Sequence, residues 1–224
     1  ANLAHYVAND IYVKYTKGAD QDNAFASIFD DCLRVFFDRV SGVDVEELAS
    51  FVLQSADSAD FMLWMRDETE QTFLDSQRLT HSNTHANTRA TLGVYLDNVT
   101  WSKGDTYLDN QTRVGVPQPN ADGSVTSHVT TTIDNTMPSV EYAEQLPSEI
   151  RGGNRSYKID ASDILLMVYL YAPYGGSIDN LEVTTVDIST WRGEAHHNGL
   201  QVFYGFTHTL AGGTTKFTYD VIVP

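Results

Sequence analysis

The segment Asp163–Ala172, with the sequence DILLMVYLYA, decides the fold of this chain of 224 residues. Side chains alternate between the two faces of an extended strand. Here Ile164 and Leu166 begin one apolar face, and Leu165 and Met167 begin the other. A strand that is apolar on both faces is predicted to lie at the centre of a sheet and to be covered on two sides.

Other segments on both sides of this strand also alternate between apolar and polar residues, and turn residues separate them. Asp122-Gly123 and Gly212-Gly213 are turns of this kind. A run of strands joined by such turns is typical of an antiparallel β-sandwich with an Ig-like or similar Greek-key topology. The predicted strands besides the central one are Leu92–Leu96, Thr106–Val116, Ser124–Asp134, Leu181–Ile188, Leu200–Leu210 and Thr215–Val223.

The segment Leu92–Asp109, LGVYLDNVTWSKGDTYLD, marks the change from a helix-rich front part to this β-rich part. We therefore predict an α+β fold with two parts. Residues 1–88 form a small helix-rich subdomain, an incomplete domain with one short buried strand, and it packs on the sandwich formed by residues 89–224.

Four helices are predicted in the front part from apolar spacing and capping residues. Asp22 or Asn23 caps the second helix, and Asp44 caps the third. In the fourth, Phe73 and Leu74 are expected to face inward. The predicted helices are Asn2–Tyr15, a helix that runs to Val40, a helix that follows Asp44, and Arg66–Gln77.

The second of these helices has the clearest apolar periodicity in the chain. Its stripe consists of Phe25, Ile28, Phe29, Cys32, Leu33, Phe36, Phe37 and Val40. Because Cys32 lies inside this stripe, we predict a buried small hydrophobe rather than a reactive nucleophile. The continuous apolar run Phe61–Met65, FMLWM, predicts a short buried strand.

The connection Met137–Ser162 is predicted to be long and irregular, with the flexible pair Gly152-Gly153. Long connections are often functional or mobile. This one is the preferred place for a partner contact, with simple flexibility as the favoured alternative.

The charge of the chain excludes some partners. It carries 14 Lys and Arg against 30 Asp and Glu, a net charge of −16. Such a chain repels phosphate backbones and anionic lipid headgroups, so nucleic acid is excluded as a partner. No apolar run reaches the length of about 18 residues that spans a bilayer, so we expect no direct membrane insertion by this chain.

The motifs of common catalytic and metal sites are absent, including the nucleophile elbow, the P-loop and the EF-hand loop. His81 and His85 are four apart but lie in a segment poor in helix formers, and His196-His197 lie in a Gly- and Asn-bounded segment. Both pairs favour surface loops over zinc sites. Asp97, Asp105 and Asp109 lie near strand ends, where calcium binding is the alternative to ordinary solvated turns. We name no catalytic residue, no metal ligand and no required cofactor.

Aromatic residues are the remaining candidates for ligand contact. They lie in or beside predicted turns of the β-rich part, and exposed aromatic faces are a common way for a β-sandwich to hold sugar rings. Packing over the ends of the sandwich is the more common fate of such residues. The candidate ligand surface consists of Trp101, Tyr107, Tyr174 and Trp191.

Several motifs resemble, in the same order, the C-terminal portion of the bacterial family called domain of unknown function 4012. The family pattern is G-x-Y-L-N/D, then S-K, then Y-L, which corresponds here to Gly93, Tyr95, Leu96, Asp97, Ser102, Lys103, Tyr107 and Leu108. Phe61–Met65, Leu146–Tyr157 and Leu210–Pro224 resemble further pieces, so the resemblance covers most of the chain. It implies an actinobacterial envelope protein, extracellular at the cell surface, that a preceding transmembrane helix anchors, and it implies no known activity.

The segment Ala8–Phe29 also resembles the end of the LytR-CpsA-Psr family, whose enzymes transfer lipid-linked glycopolymers to the cell wall. That family's arginines for a pyrophosphate are not matched, because this stretch offers Lys14 and Lys17 beside acidic residues, and Arg34 comes only later. The first functional hypothesis is therefore a non-catalytic extracytoplasmic module that binds cell-wall glycan or an envelope protein. The alternative is the C-terminal fragment of a related envelope enzyme whose catalytic half lies outside this sequence.

Overall fold

The computed structural model describes residues 2–57, 62–77, 79–80, 90–153, 159–184 and 190–224. The chain divides into two compact units. One consists of Ala1–Gln21 with Ala86–Pro224, and the other of Asp22–His85. The front part is helical and the later part forms two antiparallel sheets, so the predicted α+β class with a β-sandwich is confirmed.

In the described part of the chain, the sandwich contains nine strands in two antiparallel sheets. One sheet has the order β1-β5-β8-β7 and the other β2-β4-β9-β6, with the short β3 paired to β4. Strands that follow one another along the chain often lie in different sheets, as β1 and β2 or β5 and β6 do. The strands are β1 Gly93–Asn98, β2 Leu108–Val114, β3 Gln118–Pro119, β4 Val125–Asn135, β5 Ile164–Tyr171, β6 Ser177–Thr184, β7 Thr190–His197, β8 Leu200–Thr209 and β9 Thr214–Val223.

Strand β5 is central in its sheet, as predicted, because it pairs with β1 on one side and β8 on the other. Its residues Ile164, Leu166, Val168 and Leu170 are buried and pack in one core cluster with residues of β4, β6 and β9. The other face of β5, from Leu165 to Tyr171, is only half-buried. The expectation that both faces are covered is therefore wrong for this outer face, where side chains of β1 and β8 lie beside those of β5 rather than over them.

Several predictions about the strands change. The strand predicted at Leu181–Ile188 corresponds to β6, which begins at Ser177 and is described to Thr184. Thr106 and Tyr107 belong to a 3₁₀ turn, Gly104–Tyr107, and β2 begins only at Leu108. The segment with His196-His197 was predicted as a loop, but it is the second half of β7 and is exposed. The tight turn at Asn198-Gly199, where both residues have positive φ, explains the Gly and Asn that suggested a loop.

The predicted irregular connection Met137–Ser162 contains regular and buried structure in the part that is described. Helix α6, Val140–Glu144, begins at Ser139, whose hydroxyl accepts from the backbone N–H of Tyr142 at 3.2 Å. Met137, Ala143 and Ile150 are buried, so this connection covers one end of the sandwich. Its residues 154–158 lie outside the described residues.

The first unit also contains the N-terminal helical segment, where the predicted helix is confirmed. It consists of α1 Leu3–His5, a π-helical turn Tyr6–Asp10, and α2 Ile11–Lys14. Ile11 is fully buried and Asn9 is almost so. No described helix of the chain is long and apolar enough to cross a membrane.

The second unit contains most of α3 Gly18–Val40, together with α4 Val45–Asp57 and α5 Glu68–Ser76. The three predicted helices are confirmed, but α3 begins at Gly18 rather than after a cap at Asp22 or Asn23. The predicted cap Asp44 accepts from the backbone N–H of Glu46 at 2.8 Å. Asp67 accepts from the first turn of α5.

Burial in this second unit contradicts the sequence predictions. The α3 stripe is exposed at Phe29, Phe36 and Phe37, and Cys32 is exposed rather than buried. Leu74 is buried as expected, whereas Phe73 is 62% exposed. Apolar periodicity identifies residues that share a helix face, but it does not supply the element that covers them.

The predicted strand Phe61–Met65 is also wrong over its described residues, 62–65, which form no regular structure. Trp64 is 75% exposed. A strand needs a partner edge for its backbone groups. Here the Leu63 N–H donates to the Leu79 carbonyl, and the Met65 N–H donates to the Gln71 side chain. His81 and His85 lie outside the described residues.

Candidate ligand-binding surface

The loop that follows β1 is organised around one side chain, that of Asn98. Its Oδ1 accepts from the N–H of Thr100 at 2.9 Å, and its Nδ2 donates to the Ser102 carbonyl at 3.1 Å and to Asp105 Oδ1 at 2.8 Å. The Thr100 hydroxyl also donates to Oδ1. Since an amide side chain offers two donors and two acceptor sites, Asn98 uses its full capacity inside this loop.

Further bonds fix the loop to the body of the sandwich. Val99 donates from its backbone N–H to the Leu165 carbonyl at 3.1 Å, and Lys103 donates likewise to the Glu149 carbonyl at 2.7 Å. The Ser102 hydroxyl accepts from the N–H of buried Gly104 at 3.2 Å. The loop is thus held at both ends and at its centre.

At the tip of this rigid loop, Trp101 projects into solvent. Trp101 is 96% exposed, and its backbone φ is +63°. Left-handed backbone conformations are disfavoured for bulky residues and cost about 1–3 kcal/mol where the surroundings impose them. The backbone of the loop is therefore strained at Trp101. The large apolar ring of this residue stays in water, where it does not stabilise the fold.

The carboxyl group of Asp105 lies within the same loop. Partial burial raises its pKa, the hydrogen bond from Asn98 opposes this rise, and the nearby Asp97 carboxylate adds to it. Because the folded pKa exceeds the unfolded one, the ionised carboxylate disfavours folding, and this effect grows as the pH rises above about 4.

Replacement of Asp105 by asparagine is therefore expected to stabilise the protein slightly at pH 7, by no more than about 0.5 kcal/mol because water screens the group. The asparagine carbonyl can still accept from Asn98. Urea unfolding at pH 7 and pH 3.5 measures the effect, which should vanish at the lower pH. Asp122→Asn is the control with opposite sign, since bonds from Ser124 lower the pKa of Asp122. Equal stabilisation of Asp105→Asn at both pH values would contradict this account.

Beside the loop, Tyr107 is a packing residue rather than a free ligand contact. It is half-buried and packs against the core. Its hydroxyl lies 3.2 Å from that of Tyr142 and accepts from Asn9 Nδ2 at 3.4 Å. Burial and the bond to Tyr142 raise the pKa of Tyr107. Close by, the Lys103 ammonium lies 5.2 Å from the centre of the Tyr12 ring.

The other two predicted contact residues lie elsewhere. In the β1–β5 register, Asn98 pairs with Leu166 and Gly93 with Tyr171, so Tyr174 lies at the end of the sandwich opposite Trp101. Tyr174 is 55% exposed. It precedes Gly175 and Gly176, which line a shallow depression of about 500 Å³ together with Asp122, Ser124 and Ser177.

The backbone of Trp191 lies within β7 opposite Gly205 rather than in a turn, and its side chain is outside the described residues.

The outer face of the β1-β5-β8 sheet carries a cluster of tyrosines that local sequence patterns do not reveal. Tyr95, Tyr169 and Tyr204 are neighbours in the strand register. Their common position could have been found only by aligning the strands. Tyr95 and Tyr171 meet edge to face, with ring centres 5.4 Å apart and an angle of 85° between the planes. Rings at this angle cannot both lie flat against one sugar ring.

Two polar clusters remain. In the first, Asp163 is buried and its carboxylate contacts His208 Nε2 at 2.8 Å and accepts from the Ser162 hydroxyl at 3.2 Å. Because Ser162 and His208 both contact the carboxylate, the histidine does not lie between this hydroxyl and the carboxylate as it does in a Ser-His-Asp triad. In the second, on the outer face of the other sheet, Asp220 contacts His128 at 2.9 Å and Asn180 at 2.8 Å, and these bonds lower its pKa.

Among the described residues, no group of three or more His, Cys, Asp and Glu side chains is placed to hold a metal ion. Of the three carboxylates considered for calcium, that of Asp105 is bound to Asn98, and Asp109 lies on β2. Comparison of the chain with protein-family models, with curated proteins and with solved structures gives no match.

Proposed function

We propose that this protein is a non-catalytic recognition module of the cell envelope, which binds glycan through Trp101. The observation that supports the proposal is the exposed ring of Trp101 in a left-handed conformation on a rigid loop. Strain of this kind is found where a residue is held for function. A loop backbone that is already held in place also loses little conformational entropy on binding.

The charge of the chain narrows the kind of glycan. With a net charge of −16, the protein repels anionic polymers at low and moderate ionic strength. An indole ring, in turn, offers a flat apolar face and a single N–H donor. The proposed ligand is therefore an uncharged wall polysaccharide, whose sugar C–H faces stack on the ring. The extracellular location, with an anchor outside this sequence, is proposed on the family resemblance alone.

The proposal predicts that Trp101→Ala strongly weakens binding to an uncharged actinobacterial wall polysaccharide. We expect saturable binding by the wild-type protein in isothermal titration calorimetry and at least a roughly tenfold loss for the variant, since truncation of a stacked aromatic contact typically removes 1–3 kcal/mol. Calcium should not be required. Trp64→Ala is the matched control, because Trp64 is also exposed but lies in the other unit.

Trp101→Gly separates binding from folding. Glycine adopts positive φ without strain, so this variant should unfold at the same or a higher denaturant concentration than the wild type, and yet it should not bind. Wild-type binding that both Trp101 variants retain would refute the role of this residue. Absence of wild-type binding to every uncharged wall glycan tested would refute the proposed function.

A further inference from the structure

Strand β2 is an edge strand, and its side chains are exposed on both faces of the sheet. It ends its sheet, and in the described part of the chain its pairing partner is β4 alone. Apart from Leu108, all its residues are exposed. Val114 is 61% exposed although it lies on the same side of the sheet as the core residue Val129, its partner on β4. The residues along this edge are thus accessible to solvent.

The backbone groups of β2 alternate between β4 and the open edge. Thr136 donates from its N–H to the Tyr107 carbonyl at 2.7 Å, and Gly115 donates to the His128 carbonyl at 2.8 Å. In an antiparallel ladder, every second residue bonds the same neighbour. The odd-numbered residues therefore bond β4, and the even-numbered ones direct N–H and C=O outward. The outward residues are Leu108, Asn110, Thr112 and Val114.

The sequence of β2, LDNQTRV, is complementary to itself when two copies run antiparallel with Gln111 opposite Gln111. Asp109 of each copy then lies opposite Arg113 of the other, and Leu108 lies opposite Val114. These two acidic–basic pairs are on the outer face, since Asp109 and Arg113 alternate with residues on the core side. Opposite charges at directly facing positions stabilise antiparallel strands, and like charges destabilise them.

The same register also satisfies the backbone. With Gln111 at the centre, Asn110 lies opposite Thr112, so residues with outward groups face each other and can exchange hydrogen bonds. A shift of one residue would place outward groups opposite groups that already bond β4. A shift of two would place Asp109 opposite Gln111 and leave Arg113 without its carboxylate. Charge and hydrogen bonding therefore select one register.

We propose that β2 pairs with β2 of a second copy of this chain, which joins two sandwiches into one continuous sheet across a two-fold axis at Gln111. An exposed edge is usually protected against such pairing by charged residues. Here the charges are placed so that they attract in the self-paired arrangement. A contact made by one strand pair is small, and each copy carries a net charge of −16, so the dimer is weak. On a cell surface, it would double the number of ligand-binding loops per particle.

Cysteine cross-linking tests the register. In a Cys32→Ser background, which removes the exposed natural thiol, Gln111→Cys should form a disulfide dimer under mild oxidation. Facing residues in a non-hydrogen-bonded antiparallel pair have Cα atoms about 4.5 Å apart, which a disulfide spans. Asp109→Cys and Arg113→Cys are matched controls, because like residues of the two copies would be about 14 Å apart at either position. Equal cross-linking at all three positions would overturn the proposal.

Sedimentation equilibrium tests the charge pairs without a covalent bond. Arg113→Asp should weaken dimerisation roughly tenfold, because two attractive pairs become repulsive. The exchange Asp109→Arg with Arg113→Asp should restore the wild-type Kd to within about threefold, since it preserves both pairs. A wild-type protein that stays monomeric at about 1 mM, or a dimer that is insensitive to these charges, would overturn the proposal. Glycan binding by Trp101 is measured separately and does not depend on either outcome.

Discussion

Replacement of Asn135 by alanine is expected to destabilise the β-sandwich by about 3–5 kcal/mol. Asn135 is the last residue of β4 and is only 1% exposed. Its Nδ2 donates to the carbonyls of Ser162 at 2.8 Å and Thr209 at 3.1 Å, and its Oδ1 accepts from the N–H of Met137 at 3.0 Å. The alanine variant removes the Asn135 bond from three buried backbone groups, and each group that is left without any partner costs about 1–3 kcal/mol.

Urea unfolding at pH 7 measures this loss. Asn110→Ala is the matched control, because Asn110 is exposed on the edge strand β2. We expect that control to stay within about 0.5 kcal/mol of the wild type. A change of less than about 1 kcal/mol for Asn135→Ala would show that water replaces the lost bonds and that the network does not hold this end of the sandwich together.

The sheet-forming segments could be predicted where local pattern and final environment agree. In β5, an unbroken run of apolar residues indicates a central strand, because only a strand with neighbours on both sides buries so many of them. Gly212-Gly213 predicts the turn before β9 for a local reason, since Gly212 has a φ of +65°. Strand β7 was missed because Gly193 and the histidine pair interrupt the alternation that identifies a strand.

The helix-rich unit was predicted well in its helices and poorly in its burial. The period of an amphipathic helix depends on neighbouring residues, and α3 therefore appears nearly where expected. Whether Phe29 or Cys32 is covered depends on residues far away in the sequence. A single sequence carries no direct signal for such contacts.

At the Trp101 loop, too, local features could be predicted from the sequence, and features that depend on other residues could not. Trp101 could be named from its position in a turn, and its exposure agrees with that choice. Its left-handed backbone could not be predicted, because it depends on how Asn98 bonds Thr100, Ser102 and Asp105 together. Asn98 stands four residues before Ser102, and short polar residues at that spacing are a usable sign of such a loop. The distance between Trp101 and Tyr174 follows from strand pairing, which local pattern does not determine.

Gly152→Ala provides the second large effect, because it tests whether the connection between β4 and β5 is packed or mobile. The sequence favours flexibility here, and in a flexible segment alanine in place of glycine stabilises by about 0.4–1 kcal/mol. In the structure, a Cβ atom at Gly152 would lie 2.0 Å from the backbone carbonyl oxygen of Asp163. Relief of that overlap requires a backbone shift beside buried Asp163, so we expect a loss of more than about 2 kcal/mol.

Gly18→Ala is the control for this second substitution, since no heavy atom lies within 4 Å of its Cβ position. There we expect no loss, because alanine is the better helix former at the start of α3. The two variants are compared by urea unfolding at pH 7, with circular dichroism in the near ultraviolet as the signal for tertiary packing. If Gly152→Ala were as stable as Gly18→Ala, the connection would be mobile. The prediction that it contacts a partner would then be supported again. A large loss for Gly152→Ala alone would instead mean that the connection is tightly packed. It would then support the Trp101 loop, because the Lys103 N–H donates to the Glu149 carbonyl of the same connection.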